Sequence, residues 1–276
     1  MDSSQSSISD YEGFKSCCIK AACDDDFFKC FRVDPHFCGI LEHVSPEQAC
    51  EFLLRTLQQS PHFIRYLDHF RKNDAFGGPT LGNFGPGIGV FAPSTLRYVK
   101  VLSDLSFLFG DLKKFRIVEI GGGYGGQCAI ISQLFPFSSY TIIDLPETTQ
   151  LQNRYLQALG VKGVTLLPYT SLSSPLECDL LISNYALCEI KKPLADKYLE
   201  LCVRYAARGY MTCNQIDPDC YTHSEFLTRI PAAISMPELP LTHPDNYILV
   251  WKSPCAVTKP DPFRPPPEIL LNKPTH

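Results

Sequence analysis

The sequence predicts an α/β fold in which a mostly parallel sheet is covered by helices on both faces. From Phe115 onward, short apolar runs typical of β-strands alternate with helical segments, as in parallel sheets. Five of the six residues from Gly121 to Gly126 are glycine, as expected for a ligand-binding turn between a strand and a helix. Near the end of the chain, two strand candidates are separated only by Pro244 and Asp245, a gap that permits a hairpin and excludes a helical crossover.

The N-terminal part of the chain predicts helices and loops. Ser45 and Gln48 have the spacing of a capping box, and an amphipathic pattern follows them. A stretch rich in glycine and proline at 76–89 is interpreted as a linker or as a loop over a site. It leads to a helix that we expect to begin at Pro93 and to end near Gly110.

The alternating patterns assign the remaining elements. Strands are predicted at 115–120, 139–144, 163–168, 178–184 and 209–215. Helices are predicted at 126–135, 147–159, 191–207 and 223–230, and a capping box from Thr222 to Glu225 opens the last one. The closing hairpin is predicted to consist of Glu238–His243 and Asn246–Trp251.

Two ligand classes fit the glycine turn. Gly121, Gly123 and Gly126 satisfy the G-x-G-x-x-G spacing of dinucleotide-binding folds. The same turn satisfies the E-x-G-x-G-x-G spacing of S-adenosylmethionine (SAM) methyltransferases, starting at Glu119 and ending at Gly125. A carboxylate at the strand end repels a pyrophosphate but attracts the ammonium and sulfonium of SAM. The turn also lies more than a hundred residues into the chain, whereas a dinucleotide fingerprint usually opens its domain. Charge and position therefore favour SAM.

The second predicted strand ends in an acidic residue, Asp144, about 20 residues beyond the glycine turn. An acid at this place accepts hydrogen bonds from the two ribose hydroxyls of a bound nucleoside. Both ligand classes require it, so Asp144 indicates a nucleoside-binding α/β unit without choosing between them.

Composition narrows the range of functions. The chain has 276 residues, 45% of them hydrophobic, and a net charge of −4, so it can bury a large core and has no basic surplus for nucleic acid. The apolar runs are too short for a membrane span and the N-terminus is polar, so a cytoplasmic location is expected. The 13 cysteines include no C-x-x-C pair, and we expect them to be reduced, small apolar residues.

The chain resembles the bacterial sugar O-methyltransferases, a family of SAM-dependent class I methyltransferases. The similarity covers residues 40–252 and lies in segments 94–98, 118–127, 140–146, 182–186 with Glu189, 208–215 and 241–247. Cys188 and Cys213 replace small residues of the family, and the proline-rich tail is extra. The resemblance implies a Rossmann-like fold with a mostly parallel seven-stranded sheet, a C-terminal antiparallel hairpin and an N-terminal helical segment.

The resemblance also implies SAM as the cofactor and a sugar or glycoconjugate as the methyl acceptor. The residues expected to bind SAM are Glu119, Gly121, Gly122, Gly123, Gly125, Asp144, Leu145, Leu167 and Asn184. The glycine turn and Glu119 would hold the methionine portion, and Asp144 the ribose. Leu167, at the end of the third strand, would contribute to an apolar slot for adenine.

Methyl transfer to a hydroxyl is an in-line displacement during which the hydroxyl must lose its proton. Candidates for the general base near the carboxyl edge of the sheet are Glu189, Asp217, His223 and His243. His243 is predicted to be the base, and Glu189 to bind or orient the acceptor. Asp217 and Asp219 offer oxygen ligands but have the spacing of a turn, so no metal is predicted.

Three segments are expected: an N-terminal helical cap at 1–90, a SAM-binding methyltransferase domain at 91–252 and a disordered proline-rich tail at 253–276. The expected partner is a small-molecule or glycoconjugate substrate, and a homodimer is compatible with the sequence. Two alternatives remain open. One is an NAD(P)-dependent oxidoreductase that uses the turn for pyrophosphate, and the other is a non-catalytic, methyltransferase-like binding protein.

Overall fold

The computed structural model describes residues 6–7, 9–230 and 232–251, so the predicted tail at 253–276 lies outside the described residues. A central sheet contains the strands β1 (Arg116–Ile120), β2 (Ser139–Asp144), β3 (Val164–Pro168), β4 (Leu180–Asn184), β5 (Gly209–Cys213), β6 (Ala233–Pro237) and β7 (Tyr247–Trp251). A separate two-stranded ribbon pairs Gly82–Asn83, inside the predicted linker, with Val90–Phe91, directly after it.

The order of strands across the central sheet is β3-β2-β1-β4-β5-β7-β6. Strands β1 to β5 pair with one another in parallel, and β7 is antiparallel to both β5 and β6. The predicted Rossmann-like architecture, a mostly parallel seven-stranded sheet with a closing antiparallel hairpin, is confirmed. The strand order reverses between β1 and β4, and open α/β sheets bind ligands at the carboxyl ends of the strands at such a switch point.

Helices cover the sheet and form the N-terminal segment. The longer ones are α1 (Glu12–Cys23), α2 (Pro46–Gln59), α3 (Pro93–Phe109), α4 (Gly126–Leu134), α5 (Pro146–Ala158), α6 (Lys192–Leu201) and α7 (His223–Arg229). Shorter ones are Asp25–Phe28, Pro35–Cys38 and Leu67–Arg71. The capping boxes predicted at Ser45 and Thr222 are both formed. The helix predicted at 191–207 ends at Leu201 and continues as a 3-10 turn at Val203–Tyr205. No helix among the described residues is long and apolar enough to cross a membrane.

The closing hairpin differs from the prediction in its first strand. A strand at Glu238–His243 is wrong, because the strand that pairs with β7 is Ala233–Pro237. The buried carboxylate of Glu238 accepts hydrogen bonds from the backbone N (3.1 Å) and hydroxyl (2.6 Å) of Thr242 and from the side-chain amide of Asn246 (3.1 Å). The segment after β6 therefore folds around one side chain instead of extending into the sheet.

The N-terminal helices and the sheet share one hydrophobic core. Helix α1 packs on α5, and α2 packs on α3. A single buried cluster extends from Phe14 in α1 through Leu102 in α3 and Ile142 in β2 to Val250 in β7. The N-terminal segment is thus held against the sheet by burial of apolar surface.

A buried ionic cluster connects the N-terminal segment to the glycine turn. Arg32 is 1% exposed and pairs with Glu42 (Nε to Oε1, 2.6 Å) and Asp74 (Nη1 to Oδ1, 3.2 Å). Its guanidinium lies 4.8 Å from the ring centroid of Tyr124, which is inside the turn. The Tyr124 hydroxyl is hydrogen-bonded to the side-chain amide of Asn73 at 3.1 Å. These contacts connect the glycine turn to the N-terminal segment.

Candidate functional site

The glycine turn joins β1 to α4 with a backbone that other residues rarely adopt. Gly121, Gly123 and Gly125 have φ angles of +72°, +54° and +96°. The backbone N of Gly121 donates to Ile143 O in β2 (2.9 Å), and that of Gly125 donates to Gly122 O (2.9 Å). Side chains with a Cβ atom would be strained at all three left-handed positions.

The glycines of this turn pack closely against other side chains of the protein. A Cβ added to Gly121 would lie 2.2 Å from the Cβ of Ala186, and one added to Gly125 would lie 3.1 Å from Leu156. A Cβ added to Gly123 would lie 3.0 Å from the end of the Leu41 side chain. Gly125 is the N-cap of α4 and lines neither of the two cavities described below.

Two adjoining cavities lie at the carboxyl ends of β1, β2 and β4. The main cavity has a volume of about 1450 Å³ including the solvent at its mouth, and the small cavity has about 590 Å³ on the same measure. Both are lined by Gly121, Gly123, Arg97, Asn184 and Tyr185. The accessible space within the main cavity is about 340 Å³, at the lower end of the range of roughly 300–1,000 Å³ for a pocket that holds one drug-sized ligand.

Glu119 lies at the end of β1 and lines the small cavity. It is 1% exposed, and the hydroxyl of Tyr140 donates a hydrogen bond to its Oε2 at 2.8 Å. Burial raises the pKa of Glu119 to about 8, the Tyr140 hydrogen bond opposes this shift, and the charge of Asp144 adds to it. The protonated form of Glu119 is therefore favoured at neutral pH.

Glu119→Gln is expected to remove a pH dependence of folding stability. The unfolded glutamate titrates near 4.5 and the folded one near 8, so the folded state binds more protons between these values and stability falls as pH rises. Between about pH 5 and about pH 8.5, the contribution of Glu119 to the free energy of unfolding falls by about 4 kcal/mol. Urea unfolding at about pH 5 and about pH 8.5 measures it.

The control for this experiment is Glu51→Gln, which changes an exposed glutamate on α2. The raised pKa values of Asp144 and Glu189 act in all three proteins, so the comparison isolates Glu119. An equal loss of stability with rising pH in wild type and Glu119→Gln would contradict the buried, protonated state.

Asp144 lies at the end of β2 and lines the main cavity. Its Oδ1 accepts from the backbone N of Leu145 (2.8 Å) and its Oδ2 from the side-chain amide of Gln152 (2.9 Å), which also donates to Gly123 O (2.8 Å). Burial raises the pKa of Asp144 to about 7, and the hydrogen bonds from Leu145 and Gln152 oppose this shift. The backbone N–H groups of Gly122 and Gly123 also favour the charged form of Asp144, so this carboxylate lies directly beside the glycine turn.

Of the three other predicted cofactor residues, two line a cavity and one does not. Leu145 is buried and lines the main cavity. Leu167 is partly buried against the hydrophobic cluster on one face of the sheet and does not line the cavity, whereas Tyr169 after it does. Asn184 lines both cavities and accepts a hydrogen bond from the Thr212 hydroxyl at 3.1 Å. Its Nδ2 is buried without a partner among the described residues, and such a donor is available to a ligand.

Glu189 and His243 both line the main cavity but differ in burial. The side-chain amide of Asn214 donates to Oε1 of Glu189 at 2.6 Å. Burial raises the pKa of Glu189 to about 7, and Asn214 and then Arg97 oppose the shift. The side chain of His243 is 61% exposed at the mouth, and its Nδ1 accepts from the backbone N of Asp245 at 3.3 Å.

The other predicted acids and the second histidine lie outside the cavities. Asp217 and Asp219 form a turn in which Oδ1 of Asp217 accepts from the backbone N of Asp219 at 2.8 Å. His223 stacks on the ring of Tyr247 at 4.1 Å between centroids. Within residues 6–7, 9–230 and 232–251, no group of three His, Cys, Asp or Glu side chains has the arrangement of a metal site.

Three cavity residues were not among the predicted site residues. Arg97 on α3 and His43 before α2 reach the main cavity from the N-terminal half of the chain. Tyr185 has a φ of +53°, which is uncommon for a residue with a bulky side chain, and its hydroxyl is hydrogen-bonded to Glu238 and to Thr242. Arg97 and Tyr185 lie in segments that carry the family resemblance, so the resemblance could have indicated these two residues.

No protein-family model and no curated protein sequence matches this chain. Solved structures do resemble it. A SAM-dependent methyltransferase from Aquifex aeolicus is 16% identical with a TM-score of 0.43, over 56% of this chain and 88% of that one. MtNAS, solved in complex with MTA and tNA, is 17% identical with a TM-score of 0.46, over 86% of each chain.

An O-methyltransferase family protein from Burkholderia thailandensis is 10% identical with a TM-score of 0.41. The match covers 58% of this chain and 60% of that one, so this chain spans less than two thirds of the Burkholderia protein. Similarity at this level does not by itself assign an activity or a ligand.

Proposed function

We propose that this protein is a SAM-dependent O-methyltransferase that transfers a methyl group to a hydroxyl of a sugar or glycoconjugate. The observation that carries the proposal is the main cavity at the sheet's switch point. It brings together the backbone of the glycine turn, the ribose-type acceptor Asp144 and the unpartnered amide donor of Asn184. The resemblance to the bacterial sugar O-methyltransferases supports the choice of acceptor.

The cavity residues fit a sulfonium nucleoside. Asp144 accepts from the two ribose hydroxyls, while Leu145 and Tyr169 provide apolar surface for adenine. Asn184 donates its free amide hydrogen, and Glu119 beside the turn supplies a carboxylate once a cation displaces its proton. Bound SAM supplies an activated methyl group on sulfur.

Two features weigh against a dinucleotide in this cavity. The last strand of the sheet is antiparallel to its neighbours, whereas the dinucleotide fold has six parallel strands in the order 3-2-1-4-5-6. Glu119 lies beside the turn, and the negative charge of a pyrophosphate is not complementary to an acidic side chain at that place.

Glu189 is proposed as the group that accepts the proton of the acceptor hydroxyl. A pKa of about 7 leaves a useful carboxylate fraction at neutral pH together with enough basicity to take a proton. Asn214 holds the carboxylate by its 2.6 Å hydrogen bond. His243, exposed at the mouth, is proposed to contact the acceptor, which reverses the order of the two roles expected from the sequence.

The activity is tested by incubating the protein with methyl-labelled SAM, a panel of sugars and a cell extract fractionated for glycoconjugates. We expect label in a sugar methyl ether, formed together with S-adenosylhomocysteine (SAH). Label found only on nitrogen or sulfur would contradict O-methylation. SAH binding with no transfer to any fraction would favour the non-catalytic binding protein.

A further inference from the structure

Arg97 is a cation in the cavity wall that forms no salt bridge with a carboxylate of the described residues. It lies on the first turns of α3 and lines both cavities beside Gly121 and Gly123. Its Nη2 donates to the backbone O of Leu41 at 3.4 Å, a long hydrogen bond. Among the described residues, no carboxylate oxygen lies within 4 Å of the guanidinium, whereas Arg154, which is also partly buried, is paired with Asp25.

The position of the guanidinium is defined by its neighbours. It lies 5.7 Å from the ring centroid of Tyr98 and 5.8 Å from that of Tyr185. Leu41, whose carbonyl it contacts, places its side chain against Gly123. Arg97 is therefore at the glycine-turn end of the main cavity.

The guanidinium of Arg97 is the group in the wall of the main cavity that can pair with an anionic group of a ligand. Within the described chain, Arg97 is the only lysine or arginine that lines this cavity, while Asp144 and Glu189 supply acidic groups. In the small cavity the other cation, Lys100, is paired with Asp104 at 2.6 Å. An anionic ligand group in the main cavity would be desolvated and repelled by the two acids unless it met Arg97.

We propose that Arg97 binds the α-carboxylate of the methionine portion of SAM. This inference rests on the proposed function, in which the glycine turn receives that portion. A guanidinium presents two parallel N–H groups that match the two oxygens of a carboxylate. Arg97 and Glu119 would then bind the carboxylate and the ammonium of one amino-acid group from different sides of the turn.

The test compares two ligands that differ in the amino-acid portion. SAH carries the carboxylate, whereas 5′-methylthioadenosine keeps the adenosine and the sulfur but lacks that portion. Calorimetric titration of wild type and Arg97→Gln with both ligands is expected to show an affinity for SAH reduced by about 10- to 100-fold. The affinity for 5′-methylthioadenosine should change little, which also shows that the variant is folded. The SAH affinity of Arg97→Lys should lie between those of wild type and Arg97→Gln, because lysine keeps the charge but not the two parallel N–H groups.

The matched control is Arg208→Gln, since Arg208 also lies over an aromatic ring, Phe115 at 4.9 Å, but does not line either cavity. It should bind both ligands as wild type does. If Arg97→Gln binds SAH normally, or loses both ligands equally, Arg97 does not bind the cofactor carboxylate; the first result would leave an anionic acceptor as its partner. If wild type binds neither ligand, the proposed function itself fails.

Discussion

Asp144→Ala is expected to weaken SAH binding by at least about 100-fold. Each hydrogen bond from a ribose hydroxyl to the carboxylate is worth about 1.5–3 kcal/mol, and the variant removes two of them. The carboxylate has a raised pKa of about 7, so the loss should be larger at about pH 8, where Asp144 is ionised, than at about pH 6. Calorimetric titration at both pH values measures the effect.

The control for Asp144→Ala is Glu147→Ala, which removes an acid from the first turn of α5 that does not line either cavity. Its SAH affinity should equal that of wild type. Thermal unfolding of Asp144→Ala should show an intact fold, since the substitution removes a partly buried charge whose ionisation is disfavoured. Unchanged SAH affinity in a folded Asp144→Ala protein would remove Asp144 from the ribose site.

Glu189→Gln is expected to reduce kcat by about 100- to 10,000-fold, the usual contribution of a general base. Glutamine keeps the size of the side chain but cannot accept the proton, so SAH affinity should stay as in wild type. At saturating SAM, kcat/KM of the wild type for the acceptor should rise with pH through about 7 and level off above it, because the deprotonated form is active. The variant should lack this rise.

One further variant, His243→Ala, separates the role of His243 from that of Glu189. His243→Ala should raise KM for the acceptor with a smaller change in kcat, because His243 is proposed to contact the acceptor at the mouth. Glu200→Gln, an exposed glutamate on α6, serves as the control. If His243→Ala abolishes turnover while Glu189→Gln remains active, the order of roles expected from the sequence is the correct one.

The fold could be predicted because its signals are local. Each parallel strand is an apolar run whose neighbours in sequence are helical, and the capping boxes at Ser45 and Thr222 are complete within four residues. The glycine turn carries three left-handed positions that permit little other than glycine. Such features need no knowledge of distant contacts.

The misplaced strand shows where local patterns fail. The segment Glu238–His243 alternates well enough for a strand, yet Glu238 is buried and binds Thr242 and Asn246. The hydroxyl of Tyr185, far away in sequence, also contacts this carboxylate. A polar group that collects several buried hydrogen bonds overrides the strand propensity around it, and one sequence does not reveal that.

The candidate site could be predicted only in part for the same reason. The turn, Asp144 and Asn184 follow strands directly, and parallel strands bring their carboxyl ends to one edge. Arg97 and Leu41 come from segments before the sheet and reach the turn only through packing of the N-terminal helices. Burial, which raises the pKa of Glu119 and of Glu189, is likewise a property of the folded chain.

The central claim is that the main cavity binds a sulfonium nucleoside through Asp144 and the glycine turn. Its most direct test is calorimetric titration of the wild-type protein with SAH and, separately, with NAD and NADP under the same conditions. Saturable one-site binding of SAH, lost in Asp144→Ala, with no heat from either dinucleotide, is the predicted result. Binding of NAD or NADP in place of SAH would contradict it.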